Sequence, residues 1–208
     1  METKTFSDGQ VIKFGWNIMK SNFWYFFAVV LTVAFFSYFP IVTDKICKDI
    51  TWLWISLRIL FYIFSLIVSI GIIKISLKFT GNEKPRYIDL FDNFALFFKY
   101  LASAILYSLI VLAGFILLIV PGIIWGIRYQ FFPYFIVDKN AGPVEALKRS
   151  AQITNGAKWD ILGLNVITGI IAIAGVVCLV IGLFVVYPVI WVAFAVVYKQ
   201  LLQQTEMV

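Results

Sequence analysis

Two arginines stand where a permanent charge is costly. Arg128 lies inside "PGIIWGIRYQFFPYFIVDK", residues 121–139, and Arg58 lies six residues into the apolar run that begins at Trp52. A charged side chain within a membrane span costs several kcal/mol unless it is paired, hydrated or able to reach the interface. A guanidinium is a planar fork of donors that matches a carboxylate or a phosphate. The chemistry these two residues suggest is therefore capture of an anionic group such as a lipid headgroup. Three placements satisfy the physics. The side chains face the bundle interior from the outer leaflet, or they snorkel to the outer headgroups, or they cap backbone carbonyls at a helix break. Arg128 is the stronger candidate because no acid within the spans is placed to neutralise it. Asp138 ends the same run, ~15 Å away along a straight helix. It is expected to pair with Lys148, Arg149 or Lys199, or to cap the loop "DKNAGP".

The rest of the inventory argues against catalysis. The chain has no histidine, which removes a Ser-His-Asp triad, histidine-ligated haem and histidine-rich zinc sites. Cys47 and Cys178 are too few and too far apart for a CxxC metal or redox motif. The spans hold no carboxylate dyad and no nucleophile beside a base. No catalytic residue, metal or cofactor is expected, and the chain reads as a non-enzyme. A proton- or sodium-coupled transporter usually places acids at mid-membrane, and none is found there.

The elements that position these residues follow from composition. The 208 residues are 62% hydrophobic and 13% charged, against about 25% charged in a soluble protein. Several runs reach the ~20 apolar residues that a spanning helix needs, and the alternation of a β-barrel is absent. The fold class expected is an all-α, polytopic membrane protein. The first 22 residues are too polar for a signal peptide, and the run from Phe23 to Val42 reads as a retained first helix. Six spans are expected, at 23–42, 52–74, 100–120, 122–138, 159–182 and 184–202. Pro121–Gly122 makes the tight corner between the third and fourth, and Gly182 the corner between the fifth and sixth.

Thirteen of the seventeen Lys and Arg residues fall in the amino-terminal segment, the second and fourth connections and the carboxyl end. Only Lys45 and Lys48 fall on the opposite side. The positive-inside rule then places both termini in the cytoplasm and the protein in the inner (plasma) membrane. Lys13, Lys20, Lys84, Lys148, Arg149 and Lys158 form a cytoplasmic basic collar suited to topology and to anionic lipid. They are too dispersed for nucleic acid. Trp52, Trp54, Trp125, Tyr129, Tyr187 and Trp191 read as an outer aromatic belt.

Three cytoplasmic segments carry helical periodicity. In residues 7–22, Ser7 and Gln10 have capping-box spacing, and Val11, Ile12, Gly15, Ile18 and Met19 share a face. In 86–98, Tyr87, Leu90, Phe91, Phe94, Phe97 and Phe98 form an apolar stripe, with Asp89, Asp92 and Asn93 opposite. In 143–155, Pro143 suits the first turn and Gly156 the end. Val144, Leu147, Ala151 and Thr154 face one way there, and Glu145, Lys148, Arg149 and Gln152 the other. The chain thus reads as one membrane domain of three units. Each is an amphipathic helix followed by a hairpin, at 7–22 with 23–74, 86–98 with 100–138, and 143–155 with 159–202. A weak echo supports the repetition: residues 11–27 laid on 146–162 pair Lys13 with Lys148, Ile18 with Ile153 and Trp24 with Trp159.

The stretch from Pro121 to Gly156 resembles a broad bacterial family of six-span proteins. It includes the YciC-like proteins and the membrane domain attached to some glycerophosphodiester phosphodiesterases. The residues that carry the likeness are Pro121, Gly122, Arg128, Phe131, Pro133, Asp138, Ala146, Leu147, Ser150 and Gly156. The phosphodiesterase activity belongs to a separate soluble barrel, for which this chain has neither room nor histidines. The resemblance implies a role in phospholipid metabolism or envelope maintenance. Three functions are expected from all of this. The first is a lipid- or protein-engaging membrane protein with Arg128, aided by Arg58, at an anion site. The second is a transporter or channel component for an anionic or amphiphilic solute. The third is an accessory subunit of a larger membrane complex. Its partners would be membrane lipids, anionic ones above all, or another membrane protein.

Overall fold

The computed structural model describes residues 6–46, 51–81, 83–177 and 181–207. Cys47 and Cys178 lie outside those residues. Every regular element described is helical. The α-helices are α1 (Asp8–Ser21), α2 (Phe23–Ile46), α3 (Thr51–Thr80), α4 (Phe97–Leu117), α5 (Ile119–Tyr129), α6 (Phe132–Lys139), α7 (Pro143–Ile153), α8 (Lys158–Val177) and α9 (Ile181–Glu206). Helices α3, α4, α8 and α9 are long and apolar enough to cross a membrane. Helices α1 and α2, bent by 96° where they join, make a fifth candidate.

The expected span 122–138 is not one helix. It is divided at Gln130–Phe131 into α5, of 11 residues, and α6, of 8. Each is well short of the ~20 residues a crossing needs. Pro133 is the physical cause, because it has no N–H to continue the ladder toward the carbonyl of Tyr129. The corner before α5 also differs from expectation. The chain turns at Leu118, which is extended at φ −166° and ψ 157°. Pro121 and Gly122 sit in the first turn of α5, where a missing N–H is harmless.

Residues 86–98 do not form an amphipathic helix before α4. They make two 3₁₀ turns, Tyr87–Leu90 and Phe94–Leu96. The expected faces hold only in part: Leu90 is buried and Asp92 exposed, but Asp89 and Asn93 are buried, and Tyr87, Phe94 and Phe98 are exposed. The cause is local side-chain bonding that competes with the helical ladder. The Arg86 N–H donates to Asp89 Oδ2 at 2.8 Å, and Asn93 Nδ2 donates to the Asp89 carbonyl at 2.7 Å.

Helix α1 buries Val11, Gly15 and Met19. Ser7 occupies its N-cap position but makes no side-chain capping bond, unlike the capping box its spacing suggests. Helix α7 buries Ala146, Leu147, Ser150, Ala151 and Ile153, while Val144, expected inward, is exposed. Gly156, at φ 93°, carries the turn into α8 in a conformation other residues resist.

One packing rule recurs twice. Each short helical segment doubles back along the helix that precedes it, the 87–90 turn on α3 and α7 on α6, while α1 closes the circuit on α9. Glycine permits two of these approaches. A Cβ on Gly15 would meet the Val189 carbonyl oxygen, and one on Gly71 would meet the backbone of Leu90. The burial pattern of α1–α2 also returns in α7–α8. Val11, Gly15, Met19, Phe26 and Val29 are buried, and so are their counterparts Ala146, Ser150, Thr154, Ile161 and Leu164.

Candidate functional site

Arg128 is the last-turn residue of α5 and is exposed. Its guanidinium lies 5.8 Å from the ring centre of Tyr129. Arg58 is likewise exposed, 5.1 Å over Trp54 of its own helix. The two arginines sit on different helices, each resting over its own aromatic, and neither is buried within the bundle. The backbone of Arg128 is the part the fold uses internally. Its carbonyl accepts hydrogen bonds from Ser150 Oγ and Thr154 Oγ1, each at 3.1 Å. Ser150 Oγ also accepts the Phe131 N–H at 3.1 Å. Two hydroxyls, one on α7 and one at its C-cap, thus satisfy the groups freed at the α5–α6 break. The guanidinium does not cap them.

Asp138 accepts a hydrogen bond from the Tyr198 hydroxyl at 3.1 Å and lies 3.7 Å from Lys139. This replaces the expected partners Lys148, Arg149 and Lys199. Tyr198 is fully buried and stacked on Tyr134, so the bond joins α6 to α9. Arg149 pairs instead with Glu145 at 2.7 Å on the exposed face of α7, an arrangement worth little in water.

A polar cluster that sequence pattern misassigned to solvent lies at the C-terminal end of α3. The Asp89 side chain is 1% exposed, 2.7 Å from Lys78 Nζ and 4.0 Å from Lys74 Nζ. Lys74 also lies 3.8 Å from Asp92. Burial alone would push the Asp89 carboxyl up. The hydrogen bonds from Lys78 and the Arg86 N–H, with the charges of Lys78 and Lys74, outweigh it and hold the carboxyl below the usual carboxylate range. Two lysines four apart at the end of a span, followed by an acid in the next connection, are the sequence signal for this cluster.

The feature best suited to a ligand is a groove of about 280 Å³ between α5 and α8. Val120, Ile123, Ile124 and Ile127 wall it on one side, and Lys158, Trp159 and Leu162 on the other. Val120 and Ile124 lie four residues apart, and Arg128 continues their stripe by one more helical turn. Lys158 opens α8, where a cation gains nothing from the helix dipole. Trp159 beside it is 83% exposed, in the manner of an interfacial anchor. Beyond the groove, Asn165 Nδ2 donates to Gln130 Oε1 at 3.1 Å and ties α8 to the α5–α6 break. Of the basic collar, Lys158 alone reaches this groove. Lys13, Lys20, Lys84 and Lys148 are exposed elsewhere.

Helices long and apolar enough to cross a bilayer, with apolar surface turned outward along them, define a helical membrane protein. The chain belongs to the family described as Domain of unknown function (DUF7847), whose model matches residues 50–208. No curated protein and no solved structure matches it.

Proposed function

We propose that this protein is a non-enzymatic, lipid-engaging protein of the inner membrane, with both termini cytoplasmic. In this reading the α5–α8 groove holds one acyl chain of an anionic phospholipid. Lys158 and Arg128 face the headgroup, and Trp159 sits at the interface. The observation that carries the reading is the groove itself, an apolar channel with an ammonium and an indole at its rim. Three acids are committed elsewhere: Asp89 to Lys78, Asp138 to Tyr198 and Glu145 to Arg149. The resemblance of residues 121–156 to six-span envelope proteins points the same way, toward phospholipid handling rather than bond cleavage.

The test is native mass spectrometry of protein released from nanodiscs containing equal phosphatidylglycerol and phosphatidylcholine. Retained phosphatidylglycerol is expected to exceed phosphatidylcholine. Lys158→Ala is expected to weaken that preference about fivefold, the equivalent of one basic side chain worth ~1 kcal/mol at an anionic surface. Ile127→Trp, which fills the groove, is expected to remove both lipids. Equal retention of the two lipids by the unaltered protein would refute the proposal. Lys148→Ala, away from the groove, serves as the control.

A further inference from the structure

We infer that the α4–α5 hairpin does not cross the membrane. It dips into the cytoplasmic leaflet and returns, with its tip in hydrocarbon. The inference stands on geometry and is independent of what occupies the α5–α8 groove.

The first observation is the tip. Phe115, Ile116, Leu117, Leu118, Ile119 and Val120 are consecutive, apolar and each 48–77% exposed. A corner that reached the outer surface would place Leu118 and its neighbours among headgroups and water. Residues 115–120 themselves carry no polar side chain to meet them. Six exposed apolar residues around one extended residue belong in acyl chains, where the only free backbone groups are those of the turn itself. Two of these are covered locally: the Leu118 N–H donates to the Gly114 carbonyl at 3.0 Å, and the Gly122 N–H to the Leu118 carbonyl at 3.3 Å.

The second observation is depth. Helix α8 begins at Lys158, followed by the exposed Trp159, and its 20 residues rise ~30 Å, one hydrocarbon thickness. Its first residues therefore mark one interface. If α4 and α5 crossed the bilayer, Val120 would sit at the other interface, roughly 30 Å away. Yet Val120 and Lys158 line the same groove of about 280 Å³. The hairpin tip and the start of α8 share one leaflet. The nine residues from the tip at Ile119 to Ile127 rise only ~13 Å, which suits half a bilayer.

Length and apolarity qualify α4 as a span, and the distribution of basic residues is silent on the point. A hairpin that crosses twice and a hairpin that dips and returns deliver Lys84 and Lys139 to the same side. With α4–α5 re-entrant, the crossings are α2, α3, α8 and α9.

The test uses a background with Cys47→Ser and Cys178→Ser, and single cysteines at Leu118 and, as a reference, at the exposed Asn155. The protein is placed in phosphatidylcholine–phosphatidylglycerol vesicles. An impermeant maleimide is expected to label Leu118→Cys about tenfold more slowly than Asn155→Cys from either face, because water is excluded from the tip. A bimane attached at Leu118→Cys is expected to be quenched most by lipids brominated near the chain ends. Fast labelling from the face opposite Asn155→Cys would overturn the inference by showing a crossing. Fast labelling from the same face would overturn it by showing that the tip is not inserted. Disulfide-linked dimers with no quenching would overturn it in favour of a second copy covering the tip. Should Leu118→Cys fail to fold, Ile116→Cys and Ile119→Cys report on the same tip.

Discussion

The carboxylate of Asp89 lies 2.7 Å from the ammonium of Lys78 with only 1% of its side chain exposed, so the 3₁₀ turn at 87–90 is held to α3 by a nearly dry ion pair. Asp89→Asn leaves Lys78 without its acid, and Lys78→Met leaves Asp89 only the longer 4.0 Å contact with Lys74. Asp89→Asn or Lys78→Met is expected to cost about 3 kcal/mol, read as lowered thermal stability in detergent. Because Lys78 retains some solvent, the double variant should recover part of that loss, which a double-mutant cycle measures.

The same pair dictates a response to acid. The folded carboxyl is held below its ordinary value, so its contribution is complete above the unfolded value, near pH 4. It is lost as pH falls through the lower, folded value. As pH falls below about 4, the unaltered protein should lose more thermal stability than Asp89→Asn.

Ser150 makes two bonds at the α5–α6 break, donating to the Arg128 carbonyl and accepting the Phe131 N–H. Ser150→Ala leaves a buried N–H without a partner, at a cost of about 1–3 kcal/mol. Thr154→Val removes one of two donors to a carbonyl and should cost less. Chemical denaturation of the two variants under one condition compares them, and equal losses would contradict this assignment.

Two glycines on helices should respond in opposite directions to alanine. A Cβ at Gly71 would run into the backbone of Leu90, and overpacking of this kind costs about 1–3 kcal/mol. It should also loosen the 87–90 turn and speed proteolysis in residues 83–86. A Cβ at Gly169 meets nothing within 4 Å, so Gly169→Ala should be neutral or stabilising by up to about 1 kcal/mol.

The helical class and the inward face of α1 could be read locally, because 3.6-residue periodicity is a property of neighbours along the chain. Val11, Gly15 and Met19 announce their side of the helix. Asp89 does not. An acid among aromatics reads as a solvent face, whereas its partners Lys74 and Lys78 lie on the preceding helix and enter only through tertiary packing. Pro133 was visible as a punctuation mark. That the resulting break would be satisfied by Ser150 and Thr154, a turn and a helix later, was not. The corner was misplaced for a related reason. Pro-Gly signals a turn, but Pro is also favoured in the first turn of a helix, and that is where Pro121 sits. The exposed position of Arg128 depends on how α5 lies against α8, which no local pattern encodes.

The seating of α1 on α9 has a consequence for biogenesis. Val11, Gly15 and Met19 are buried in the folded protein, with Gly15 against Val189, yet α9 leaves the ribosome long after α1. At 5–20 residues per second the first helix waits roughly ten to forty seconds for its seat. During that interval its apolar face must be held by lipid or by a chaperone. Helix α1 is made before its seat exists, so synthesis of α9 is the step that closes the ring.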